Sequence, residues 1–217
     1  MLPVSSPTPI ARRLRAASRP VAIGVALLAL AAVWSVGSVA RAGRTQTWPD
    51  GVVRYYDATG MGRTVATAVS RWNASGARVH LRPVGSSHEA QLVLRVDDRR
   101  LLRTCGGDCL GFSSEIGRPR AGRQSEVLLS GALSDIPRPL SIWVAAHELG
   151  HVLGLHHRRG KECSLMSEHA FDTRCPPSLE ATEATPEELA CVPAPADVEA
   201  AAHLYGGAPA RRDVRCR

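Results

Sequence analysis

The stretch HELGHVLGLHH, from His147 to His157, places four of the chain's eight histidines and one glutamate within eleven residues. The residues before it, PLSIWVAA, put Pro139 where a first helical turn can start and hold no breaker before Gly150, so a helix should run from Pro139 into the histidines. Residues four apart on a helix lie about 40° from one another around the axis. His147 and His151 therefore point the same way, and their imidazoles can share one metal ion. Glu148, beside His147, can reach a metal-bound water without being a ligand. Gly154 can adopt a left-handed conformation that ends the helix at small cost and turns the chain back, so that His157 approaches the same ion. A catalytic zinc takes three protein ligands and keeps one position open for water.

Chance does not account for this pattern. With 8 His, 11 Glu and 19 Gly in 217 residues, HExxH arises at a frequency of about 0.015 and HExxHxxGxxH at roughly 1 in 20,000. A closed structural zinc would more often add a fourth Cys or His ligand. His156 is a competing third ligand by a one-residue slip, but the motif places His157. His80 on a strand, His88 and His169 in loops and His203 on the last helix read as surface or packing residues. Trp143 and Leu149 should pack the helix into the core. Arg158, Arg159 and Lys161 form a charge run that flanks the histidines and reads as a solvated face, with a preference for acidic substrates as the minor alternative.

The length of 217 residues with 44% hydrophobic content fits one core. The net charge of +7 is concentrated at one end. Residues 1–42 hold Arg12, Arg13, Arg15, Arg19 and Arg41 and no acid, leaving 22 basic against 20 acidic residues in the rest. No basic stripe with interleaved aromatics is present, which argues against nucleic-acid binding. The arginines precede VAIGVALLALAAV and then WSVGSVA and RA, the charged, apolar and small-residue order of a secretory signal. Cleavage after Ala40 or Ala42 fits. The competing reading of 1–42 is an uncleaved membrane anchor, since Val21 to Ala40 is about long enough to span a bilayer.

Six cysteines lie downstream (Cys105, Cys109, Cys163, Cys175, Cys191 and Cys216), and an even number in an exported chain reads as disulfides. Six allow 15 pairings, so connectivity stays open. Proximity favours Cys105 with Cys109, Cys163 with Cys175, and Cys191 with Cys216.

Along the body, WPDGVVRYY reads as a strand, and Met61, Val65, Ala68, Val69 and Trp72 fall on one face of a helix that NASG ends. ARVHLRPV, AQLVLRV and SEVLLSG read as further strands. The Gly- and Arg-rich stretch from Asp97 to Gln124 reads as irregular and tied down by the Cys105–Cys109 bridge. After turn-rich sequence from Cys163 to Leu189, PADVEAAAHLYGG reads as a helix with Asp197 as N-cap and a glycine stop.

HExxHxxGxxH followed nine residues past His157 by the methionine of CSLMS, Met166, resembles the metzincin metalloproteases. The short gap is similar to that of matrixins and of the small bacterial snapalysins. TWPDGVVRYY resembles the first matrixin strand, AVSRWNASGARVHLRPV the first helix and second strand, and PADVEAAAHLYG the closing helix. The resemblance spans Trp48 to Gly206 and is specific at the zinc motif and that ending. Three departures stand out: no PRCGxPD cysteine switch is present, the His and Asp spacing of the matrixin structural zinc is missing, and snapalysins carry aspartate where His157 stands.

The resemblance implies an α+β fold with a mixed, mostly parallel twisted sheet, a first helix, an active-site helix and a C-terminal helix. It implies a catalytic domain over 43–210 and a tail over 211–217. One zinc would be held by His147, His151 and His157, with Glu148 as general base and later proton donor, and Met166 as an apolar floor beneath the ligands. It supports Cys163 pairing with Cys175. Structural calcium, which the family allows, has no support in these residues. The activity implied is that of a zinc endopeptidase, monomeric, acting on proteins or peptides, and secreted or anchored with its catalytic domain outside the cytoplasm. The alternative is a non-catalytic zinc-binding or interaction domain on the same fold.

Overall fold

The structure, a computed structural model, describes residues 46–107, 109–120, 122–159, 163–168, 183–186 and 188–209. The expected signal or anchor over 1–42, the tail over 211–217, Lys161, His169, Cys175 and Cys216 lie outside the described residues.

Among the described residues the fold is α+β, as expected. The strands are β1 (Val52–Ala58), β2 (His80–Pro83), β3 (Leu92–Val96), β4 (Gly111–Ser113) and β5 (Ser125–Leu129), and the α-helices are α1 (Gly62–Asn73), α2 (Asp98–Cys105), α3 (Arg138–Val152) and α4 (Pro195–Tyr205). The strand order is β2-β1-β3-β5-β4. Every neighbouring pair is parallel except β4 with β5. Parallel neighbours need a crossover, and α1 supplies it between β1 and β2. Leu92, Val93 and Leu94 of β3 are all buried, which explains why this strand reads as an apolar run: both faces of a central parallel strand are covered.

The apolar stripe of α1 buries Val65, Ala68, Val69 and Trp72. Trp72 is fully buried, and its Nε1 donates to the Ala146 carbonyl at 2.9 Å. This contact ties α1 to α3.

The segment from Asp97 to Gln124, expected to be irregular, contains both α2 and β4. Asp97 caps α2 by accepting from the Arg100 backbone N–H at 2.9 Å. Leu101 is the one buried residue of that helix, so no recurring apolar pattern marks it in the sequence. β4 is three residues long and exists through its pairing with β5, Phe112 opposite Leu128. The Cys105–Cys109 disulfide joins the end of α2 to the approach to β4. Cys163 and Cys191 are also disulfide-bonded.

Two boundaries move. Pro49–Gly51 forms a 3₁₀ turn, so the first strand starts at Val52 rather than Trp48. Asp197 is not the N-cap of α4: Pro195 opens the helix, Ala194 caps it, and Asp197 sits at the third helical position. Proline's fixed φ and missing N–H suit the first position of a helix. Among the described residues no helix is long and apolar enough to cross a membrane.

The end of α3 is held from three directions. Gly154 takes φ +95°. Its N–H donates to the His151 carbonyl at 2.8 Å, and the Leu155 N–H donates to the Gly150 carbonyl at 3.0 Å, the paired bonds of a Schellman turn. Trp48 Nε1 donates to the Val152 carbonyl at 2.7 Å, and the Tyr205 hydroxyl donates to the Leu153 carbonyl at 2.9 Å. Tyr205→Phe removes one of these donors without changing the ring, and should lower stability by about 1 kcal/mol. Urea denaturation measures this; an unchanged midpoint would mean that the Leu153 carbonyl does not depend on the hydroxyl.

Candidate metal centre

His147 and His151 stand one turn apart on α3 and are buried. The Schellman turn at Gly154 carries the chain back, so that His157 Nε2 lies 3.2 Å from His147 Nε2 and 3.1 Å from His151 Nε2. His156 remains exposed on the rim and outside this group. The other ring nitrogens of the two helical histidines face backbone carbonyls: His147 Nδ1 lies 2.7 Å from the Leu165 oxygen and His151 Nδ1 2.7 Å from the Leu155 oxygen. A carbonyl only accepts, so each Nδ1 carries the proton and each Nε2 presents a bare lone pair.

The three residues form a group that can hold a metal ion. A tetrahedral zinc with bonds of about 2.0–2.1 Å separates its donor atoms by about 3.3–3.4 Å, and the Nε2 spacings to His157 are close to that. Protonation does not block the donors. Burial, reinforced by His151, lowers the His147 pKa to about 3, and burial lowers that of His151 to about 4. Both are neutral at pH 7. Trp143 stacks on His147 with ring centroids 5.3 Å apart and 23° between planes, so it orients a histidine as well as filling the core.

Glu148 is also buried. Its carboxylate packs against β4 so closely that a Cβ on Gly111 would lie 2.6 Å from Oε1 and 2.8 Å from Cγ. Loss of hydration raises its pKa to about 8. A divalent cation at the histidines would act in the opposite direction.

Met166 is fully buried directly under α3. A Cβ on Gly150 would collide with Met166 Sδ and come within 3.4 Å of Trp72, so the absent side chain of Gly150 is what lets the methionine lie there. In the sequence Gly150 reads only as a helix breaker, yet it sits inside α3. Asp197 is the second residue whose role the sequence hides. It is fully buried, and its carboxylate accepts from Ser164 Oγ at 2.6 Å, the Leu165 N–H at 2.6 Å and the Ala194 N–H at 3.2 Å. Burial raises its pKa, and these donors oppose the rise. The Leu165 carbonyl in turn receives the His147 proton, so α4 positions a helical histidine through the turn around Met166. A buried acid at the third position of a helix is compatible with capping alone, and two of its three partners, Ser164 and Leu165, are more than 30 residues away in the chain.

The centre opens into a cavity of about 1030 Å³ whose apolar wall includes Leu110, Phe112, Ile116 and Val144.

Gly150→Ala should destabilise the chain by about 1–3 kcal/mol through overpacking against Met166, read as a lower thermal midpoint; an unchanged midpoint would mean that Met166 has room to move. For Glu148, the folded pKa near 8 lies above the ordinary value of 4.5. The folded chain therefore retains a proton that the unfolded chain releases, and stability falls as pH rises from about 4.5 to about 8. Glu148→Gln does not titrate, so in chelator its melting temperature should gain on the parent across that window; a difference independent of pH would contradict a protonated Glu148.

Comparison with protein-family models and with curated proteins finds no match. Among solved structures the chain is similar to two of myroilysin: one at 16% identity and a TM-score of 0.37, covering 52% of this chain and 53% of that one, and another at 19% identity and a TM-score of 0.37, covering 53% and 48%. The chain thus matches about half the length of each.

Proposed function

We propose that this chain is a metzincin-like zinc endopeptidase that hydrolyses peptide bonds in proteins. The observation that carries the reading is the convergence of the Nε2 atoms of His147, His151 and His157 beside a buried Glu148 in an open cleft. Its support in the sequence is the resemblance of HExxHxxGxxH and CSLMS to that family.

His147, His151 and His157 would hold zinc, and the Nδ1 bonds to Leu165 and Leu155 keep two of them in the ligating tautomer. Zinc, when bound, supplies Lewis acidity toward a carbonyl oxygen and makes a water more acidic. Glu148 takes a proton from the attacking water onto its carboxylate and returns it to the leaving amine nitrogen. A group whose proton affinity is tuned toward neutral pH can do both in one cycle. Met166 and Trp143 exclude water from behind the ligands. Among the described residues β4 is an edge strand whose three residues line the cavity, and such an edge offers backbone groups to an extended peptide. That favours a peptide over a compact small molecule as substrate. The disulfides support a site of action outside the reducing cytosol, with residues 1–42 directing export.

The purified chain should cleave an unfolded protein, lose that activity in a zinc chelator and recover it on adding zinc. Glu148→Gln should still bind one zinc while cleavage falls by about 10²–10⁴-fold. Retained cleavage in that variant would remove Glu148 from the mechanism. Absence of chelator-sensitive cleavage with zinc still bound would favour the non-catalytic metal-binding domain.

A further inference from the structure

We infer that Glu168 is a positioning residue for His157 and that it raises the affinity of the histidine triad for its metal ion. The inference rests on the reading of the triad as a zinc site. The three ligands are not supported alike. His147 and His151 direct Nδ1 at carbonyl oxygens 2.7 Å away in the protein interior. His157 is part-exposed, and the acidic group facing its Nδ1 is the Glu168 carboxylate, with Oε1 at 3.9 Å. That same oxygen accepts from Arg159 Nε at 3.2 Å and from a second Arg159 nitrogen at 3.1 Å. The Arg158 N–H donates to the Met166 carbonyl at 2.9 Å, which brings the segment carrying His157 and Arg159 alongside the one carrying Glu168.

A carboxylate behind a ligating imidazole holds the proton on the far nitrogen, leaves the near one bare and makes it a better donor to the metal. His157 and Glu168 are 43% and 38% exposed at their side chains, so the attraction between the bare pair is weakened by water. A cation on Nε2 polarises the Nδ1–H bond and strengthens its interaction with the carboxylate. The contribution of Glu168 is therefore larger with metal bound than without it, and that difference is affinity rather than fold stability. Arg159, itself 86% exposed at its side chain, shares the same oxygen.

The test compares the full chain with its Glu168→Gln variant, which keeps the shape and removes the charge. Zinc affinity is measured on metal-free protein by competition with a chromophoric chelator, the cobalt-loaded proteins are compared by visible absorption, and the metal-free proteins are melted. Glu168→Gln should bind zinc on the order of 10–100-fold more weakly and shift the cobalt absorption band, with an unchanged metal-free melting temperature. A zinc affinity within about twofold of the parent, an unchanged cobalt band, or a loss of affinity matched by a loss of metal-free stability overturns the inference. Failure of the parent chain to bind zinc would instead overturn the reading of the triad.

Discussion

The hydrogen bond between His147 Nδ1 and the Leu165 carbonyl is the contact on which the rest of the centre depends. It sets the tautomer of a buried histidine and joins α3 to the turn around Met166. That turn is held from the other side by Asp197 of α4, through Ser164 Oγ and the Leu165 N–H. Met166 then fills the space that Gly150 leaves open. A helix, a turn and a second helix from distant parts of the chain therefore meet at one imidazole. None of them could shift far without leaving a buried donor or acceptor unpaired, at a cost of about 1–3 kcal/mol for each such group.

Burial also organises the electrostatics. The same loss of hydration that keeps His147 and His151 neutral keeps Glu148 protonated at neutral pH. The metal-free site thus avoids buried charge by leaving its ionisable groups uncharged. A dication held there would change that balance, since it would be attracted to the bare nitrogens and favour the ionised carboxylate. Metal binding would for this reason be coupled to protonation. The more exposed side of the triad, at His157, faces instead the Glu168 carboxylate, which also pairs with Arg159 at the surface.

The elements legible in the sequence carried an apolar stripe or run, or clear start and stop residues as in α3 and α4. α1 shows its stripe because it packs against α3, and β3 shows an apolar run because both of its faces are covered. α2 and β4 were not legible. One buried leucine makes no period, and three residues make no alternation, so both elements follow from capping by Asp97 and pairing with β5. The N-terminal boundary of α4 was misplaced because Asp197 suits an N-cap by type, while Pro195 determines where the helix starts.

At the site, the local sequence is enough to bring three histidines together. Helical spacing aligns His147 with His151, and the glycine at 154 permits the turn that returns His157, because both are properties of the local backbone. What surrounds those histidines follows from contacts between distant segments. The absent side chain at Gly111 leaves room for Glu148, the absent side chain at Gly150 leaves room for Met166, and Asp197 holds the turn that orients His147. Each of these depends on a partner far away in the chain, and a close approach between distant segments leaves no local periodicity from which it could be read.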